Sequence, residues 1–299
     1  MTMSDSIPHL ALPLELVERV TVNLFRIAVT TLPRDVVDAL EGAARQEGDQ
    51  VGRTQLEAIL ENVRVAEKED VPICQDTGVP LVFLRGHCES MVEEGVRRGV
   101  EAATEEIPLR PNVVSPLDRE NPGNNLGEGL PHIHWEPTEE EFIELTVMPK
   151  GAGSENMSRL GMLKPSEGLE GIKSFVLDAV VEAGGKPCPP TIVGVGIGGT
   201  ADLAAHMAKE ALLRPLDSRN PDPRLAEFEE EMKAALNRTG IGPMGLGGET
   251  TVLGVRAKAA SCHTASLPVA VCFQCWAARR ASARISQEGT VIYCREGFR

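Results

Sequence analysis

Aromatic side chains are scarce in this 299-residue chain, which holds seven Phe, two Trp and one Tyr. Base stacking on aromatic rings is therefore not expected. A formal net charge of −14 also removes the basic surface that a nucleic-acid partner requires. Basic residues and a continuous apolar segment are both missing from the opening stretch MTMSDSIPHLALPLELVERV, so a secretory signal is not expected. No later run of about 18 apolar residues offers a membrane span. A cytoplasmic protein without a membrane partner is the expectation. In that reducing setting the seven cysteines are thiols or ligands by default, and their odd number argues against a complete disulfide set. What remains is a hydrophobic share of 42%, enough for a core built mainly from Val, Leu, Ile, Ala and Met.

The first hundred residues read mostly as helices. LELVERVTVNLFRIAVT and RDVVDALEGAARQEG carry apolar residues at helical spacing, and TQLEAILENVRVAEKE predicts a third helix capped by Thr54. The stretch PICQDTGVP reads as a turn before a short strand, VPLVFLRG, and MVEEGVRRGVEAATEE reads as a helix. From Ile107 to about Pro137 a long irregular stretch follows, rich in Pro, Asn and Gly and holding Arg110, Arg119, His132 and His134. Loops of this length in compact domains are functional or disordered, and the embedded apolar residues and paired histidines favour an ordered, functional one. Further on, FIELTVMPKGAGS and TIVGVGIGGT read as strands running into glycine turns. IKSFVLDAVVEAGG, ADLAAHMAKEALLRPL and LAEFEEEMKAALNRTG read as helices, and TTVLGVRAKAA and SLPVAVCFQC as strands. The predicted fold class is mixed α/β (α+β): a helical N-terminal part, then strands linked by glycine-rich turns. No linker or internal repeat divides it, so a single domain over 1–299 is expected.

Gly194 to Gly199 satisfy G-x-G-x-x-G between a strand and a helix, the pattern of a dinucleotide turn. That site also needs an acidic residue closing a second strand roughly 20 residues on, and LLRPLDSRNPDPR stands there instead. A tight turn with close helix packing is the simpler reading; backbone N–H groups holding an anion or a cluster is another. Cys74 precedes Gln-Asp-Thr-Gly, Cys188 sits in GGKPCPPTIVGVG, and Cys272 and Cys275 form C-F-Q-C before Trp276. Each group lies beside Pro or Gly or at an element boundary, whereas Cys88 and Cys294 read as small core residues. One close pair is too few for a zinc knuckle. The C-x-x-C pair leaves thioredoxin-type redox chemistry open, and three cysteines from three turns better suit an iron–sulfur cluster with one iron lacking protein sulfur.

CQDTG, KGAGSENMSRL, CPPTIVGVGIGGTAD, GIGPMGLGGETTVLGV and HTASLPVAVCFQCWAARRA together resemble the alpha part of class I fumarate hydratases and L(+)-tartrate dehydratases, the iron–sulfur hydro-lyases. The resemblance spans about residues 10–285, and the family's beta part has no counterpart in the chain. It implies a [4Fe–4S] cluster held by Cys74, Cys188 and Cys275 with one open iron, and leaves Cys272 as a packing residue. It further implies substrate contacts from Gln75, Asp76, Arg110, Gly153 and His263, with Asp76 and His263 catalytic and His263 reaching the site of a neighbouring protomer. His132 and His134 are expected to pack in their loop.

The implied activity is that of the alpha subunit of a fumarate hydratase, interconverting fumarate and (S)-malate and active only with a beta subunit that carries the base. A dimer of alpha chains within an α2β2 assembly is implied as well. The open iron would act as a Lewis acid on the C2 hydroxyl, and Arg110 would grip a carboxylate with its planar fork. L(+)-tartrate dehydration to oxaloacetate is the alternative, and a non-catalytic or redox iron–sulfur subunit a further one. With a net charge of −14 repelling a dianion, and few cationic groups near the motifs in the sequence, a partner is expected to supply more.

Overall fold

The computed structural model describes residues 12–86, 90–295 and 297. Cys88 and residues 1–11 of the opening stretch read above for a signal segment lie outside that range. The fold is α+β. In chain order it contains α1 (Leu14–Thr30), α2 (Arg34–Gln46), α3 (Gln50–Glu69), β1 (Val79–Gly86), α4 (Ser90–Glu106), β2 (His132–Pro137) and β3 (Phe142–Lys150). Then come α5 (Ala152–Glu155), β4 (Arg159–Leu163), α6 (Gly168–Ala183), β5 (Thr191–Gly198), α7 (Ala201–Ala211), α8 (Pro223–Asn237), β6 (Val252–Ala260), β7 (Leu267–Gln274), β8 (Ala281–Ser286) and β9 (Val291–Cys294). Two compact units share these elements. The first gathers the described residues of 1–29, 77–149 and 280–299, the second residues 30–76 and 150–279.

In the first unit a five-stranded sheet runs β2-β1-β3-β8-β9, with β1 and β2 parallel and β8 antiparallel to both β3 and β9. Its core joins Val17, Val20, Leu24 and Ala28 of α1 to Val92, Val96 and Val100 of α4 and to strand residues such as Val82, Leu145 and Ala283. The two helices meet at glycines. A Cβ on Gly99 would lie 2.4 Å from Thr21 Cβ and 2.8 Å from the Glu18 carbonyl oxygen, and one on Gly95 2.7 Å from Val17 Cβ. The irregular stretch before β2 is ordered by buried Asn125, whose Oδ1 accepts from Asn112 N (2.7 Å) while its Nδ2 donates to Thr104 Oγ1 (3.1 Å) and Arg110 O (3.1 Å). The expectation that His132 and His134 pack in a loop is corrected here. Both lie on β2, where His134 stacks on its cross-strand partner Phe83 (centroids 4.6 Å apart) and His132 meets His134 edge-on. Parallel pairing with the distant β1, invisible in local sequence, makes this segment a strand.

The second unit holds a four-stranded sheet, β4-β7-β5-β6, with β5 parallel to β6 and antiparallel to β7. Period-two alternation splits β5 cleanly. Val193 and Val195 enter a core with Val176 and Val180 of α6 and Phe228 and Met232 of α8. Gly194 and Gly196 face α7, where a Cβ would fall 2.1 Å from Ala208 O and 1.9 Å from Ala204 O. The G-x-G-x-x-G pattern therefore serves close helix packing, and the turn after it uses positive φ at Gly198 (83°) and Gly199 (68°). The predicted Thr54 cap is also corrected. Asp49 caps α3, its side chain accepting from Gly52 N at 2.8 Å, and Thr54 bonds back to the Gln50 carbonyl inside the helix. Among the described residues no helix is long and apolar enough to cross a membrane.

Candidate metal centre

Three of the sequence-predicted cysteines gather at one end of the second unit's sheet. Cys188 lies three residues before β5, and Cys275 follows Gln274, the β7 residue paired with Ile192 at the same end. The Trp276 amide donates to the Cys188 carbonyl at 3.2 Å, tying the two segments together. Cys74 joins them from the turn after α3. The charges of Cys74 and Asp76 reach Cys188, and that of Cys74 also reaches Cys275. Burial pushes up the thiols of Cys188 and Cys275; at Cys275 the Arg279 guanidinium pulls the other way.

Local backbone explains how each sulfur is presented. Cys188 sits between prolines with φ 55°, a left-handed conformation that costs a non-glycine residue energy and is held only where the surroundings insist on it. Its amide donates to Gly185 O (3.1 Å), and the following Pro189 carbonyl accepts from Met244 N (2.7 Å). The GIGPMGLGG loop can approach so closely because Gly245 presses on Gly185, a Cβ on Gly245 falling 2.5 Å from Gly185 Cα. The Cys74 turn hangs from α3, where Asn62 Nδ2 donates to the Ile73 carbonyl at 2.9 Å. Next in the turn, exposed Gln75 accepts a long contact from Cys74 Sγ (3.5 Å). Asp76 Oδ2 accepts from Ala152 N at 2.8 Å, joining CQDTG to KGAGS. Gly153 belongs to the same cluster of turns, since its missing side chain would meet the Lys186 carbonyl two residues before Cys188.

Two cations whose burial the sequence does not show stand beside these turns. Lys150 is 1% exposed; its Nζ donates to Ser154 Oγ (2.7 Å) and pairs with Glu155 (3.3 Å), and its charge reaches Cys272 and Cys275. Burial pushes the Lys150 ammonium below its ordinary value against the pull of Glu155. Glu155 is itself burdened by burial, yet Lys150 and Lys209 outweigh that and hold its carboxyl below the ordinary range. Arg279 is also 1% exposed, and its Nη1 donates to the Asp76 carbonyl at 2.7 Å. The only sequence hints were the KGAGS turn at the end of a strand and Arg-Arg four residues after the C-F-Q-C pair.

Cys272 and His263 stand apart from the three thiols. Cys272 is buried (3% exposed) within β7, paired to Gly194, and burial pushes its thiol up. Arg110 is an exposed residue of the first unit; its amide donates to Thr77 Oγ1 at 2.9 Å. His263 lies on the exposed loop beyond β6, at the end of the sheet where Gly198 pairs with Ala260. Eight strand residues separate that end from the cysteines, on the order of 25 Å, so His263 is not brought to the thiols of its own chain. Among the described residues no three His, Cys, Asp or Glu side chains converge as a single ion would require.

An α+β fold that presents three soft thiol donors at one sheet end, flanked by buried cations, defines a candidate metallocentre. Comparison with known proteins places it further. The chain matches the fumarate hydratase (fumerase) family over residues 18–284, and it belongs to that family. A Methanocaldococcus jannaschii protein provisionally named L(+)-tartrate dehydratase subunit alpha is 53% identical over 275 residues, covering 89% of this chain and 96% of that one. The L(+)-tartrate dehydratase subunit alpha of Escherichia coli K12 is 35% identical over 280 residues, 91% of either chain. A Geobacillus stearothermophilus protein provisionally named fumarate hydratase class I is 36% identical over 283 residues, which cover 90% of this chain but 55% of that protein.

Proposed function

We propose that this chain is the alpha subunit of an iron–sulfur hydro-lyase that reversibly hydrates fumarate to (S)-malate. The observation that carries the reading is the convergence of Cys74, Cys188 and Cys275 from three separate turns, tied by the Trp276 amide on the Cys188 carbonyl and by Arg279 on the Asp76 carbonyl. The donor set suits a [4Fe–4S] cluster with one iron left open. When bound, such a cluster supplies a Lewis acid for the C2 hydroxyl.

The chain's own residues then have separable tasks. Cys74, Cys188 and Cys275 hold the cluster. Gln75 donates an amide to the substrate from the exposed tip of its turn. Asp76, whose Oδ2 accepts from Ala152 N, orients the substrate or holds a proton. The bare Cα of Gly153 lets a carboxylate approach the backbone. Arg110 binds a carboxylate bidentately, and His263 serves the site of a neighbouring alpha chain, a reading supported by its distance from its own thiols. The base for the C3 proton belongs to a beta subunit in an α2β2 assembly. The name of the E. coli relative supports a partner, since a subunit alpha has one, and the Geobacillus relative extends well beyond the matched part.

A second reading, dehydration of L(+)-tartrate to oxaloacetate, is favoured by the names of the M. jannaschii and E. coli relatives. One anaerobic assay of the reconstituted chain with its beta partner, offered fumarate and L(+)-tartrate in parallel, separates the two. Faster turnover of fumarate is expected; turnover of tartrate alone establishes the second reading, and turnover of neither sinks both.

A further inference from the structure

We infer that Arg279 is the counter-cation of the three-thiol centre: its buried guanidinium offsets the negative charge that bound thiolates bring. This rests on the reading of that centre as an iron–sulfur site. Arg279 is 1% exposed, and a charge held out of water must be repaid by a partner of opposite sign. Two other buried cations have one. Lys150 faces Glu155 at 3.3 Å, and Arg256 faces Glu229 at 3.6 Å. Arg279 differs. Its Nη1 donates to a neutral acceptor, the Asp76 carbonyl, at 2.7 Å, and its buried Nε has no hydrogen-bond partner among the described residues.

The surroundings show where the missing anion belongs. Arg279 lies four residues after Cys275 in one tight turn, its amide donating to Ala277 O (2.9 Å) and its carbonyl accepting from Gln274 Nε2 (3.5 Å). Arg279 Nη2 and Asp76 Oδ2 flank Gly151, at 3.4 and 3.1 Å from where a Cβ would sit, but that carboxylate oxygen is given to Ala152 N. The guanidinium thus spans the Cys275 turn and the Cys74 turn. Three thiolates leave a bound cluster with net negative charge, and reduction adds more. A fixed cation beside it therefore favours retention and makes reduction easier.

The test compares wild type, Arg279→Met and Arg279→Lys as full-length chains. Heat unfolding is measured without the cluster. After anaerobic loading with iron and sulfide, the rate of iron loss to a chelator and the cluster's midpoint potential are measured. The Met chain should be at least as heat-stable as wild type when cluster-free, because a partnerless charge has gone. When loaded it should lose iron at least tenfold faster and show a more negative potential. The Lys chain should restore the potential. A purely structural role would instead lower cluster-free stability and leave the potential unmoved. A loaded Met chain with wild-type iron loss and potential overturns the inference. Should the Met chain not fold, the Lys chain decides: a wild-type potential supports the counter-cation, and a shifted one in a folded chain overturns it. A wild-type chain that takes up no iron sinks the iron–sulfur reading and this inference together.

Discussion

At the scale of single residues, the chemistry is divided between groups visible in the sequence and groups that only folding reveals. Cys74, Cys188 and the Cys272–Cys275 pair stood out because each group lies beside Pro or Gly or at an element boundary, and only the family resemblance singled out Cys275 within the pair. Lys150 and Arg279 did not, because a charged residue is solvated by default and only tertiary packing buries these two to 1% exposure. The Lys150–Glu155–Lys209 network beneath the KGAGS turn leads to a pH-dependent prediction. Burial raises the Glu155 carboxyl, but the two lysines more than reverse this and leave it below its ordinary 4.5. Between the folded and unfolded values the unfolded chain binds the proton more readily. The stability from Glu155 is therefore complete above the ordinary value and is lost as pH falls through the depressed one. Thermal unfolding of wild type and Glu155→Gln from pH of about 6 down to about 3 should show a wild-type advantage that shrinks with acid; an advantage that grows with acid contradicts the assignment.

At the scale of elements, the helices were legible and the short strands were not. α1, α2, α4, α6, α7 and α8 announce themselves by apolar spacing over two or more turns. β2, β4, β8 and β9 are four to six residues long, too short for a period to stand out, and β2 and β4 also pair with strands distant in the chain. The start of α3 was misplaced by one turn, because Gln50, Gly52 and Arg53 carry no apolar signal while Asp49 caps ahead of them. Glycine within helices tests the packing directly. Gly99 on α4 has Thr21 of α1 where its Cβ would be, whereas the first atom met from Gly42 on α2 is an arginine tip 3.9 Å away. Gly99→Ala should destabilise the protein by about 1–3 kcal/mol through overpacking. Gly42→Ala should stabilise it by about 0.5–1 kcal/mol through helix propensity. Denaturant unfolding measures both, and equal effects at the two positions would contradict the helix contact.

At the scale of the whole molecule, a chain with net charge −14 is read as a binder of dianions. The average field repels such a substrate, so attraction has to come from local donors. Among the described residues the buried cations Lys150 and Arg279 stand beside the thiol turns, the first already paired with Glu155. The mixed α+β class followed from the order of predicted elements, whereas the division into two units did not, since each is assembled from segments far apart in the chain. The distance of His263 from its own thiols was equally hidden, because it depends on β5 and β6 running parallel. Family membership covers residues 18–284, and the central claim goes beyond it: three named thiols hold one iron–sulfur cluster. The most direct test is the iron and sulfide content of the anaerobically loaded chain, compared with Cys74→Ser, Cys188→Ser, Cys275→Ser and Cys272→Ala. The account predicts about four iron and four sulfide per chain in wild type and in Cys272→Ala, and loss of the cluster in each serine variant. A wild-type chain without iron, or loss on changing Cys272 but not Cys275, would contradict it.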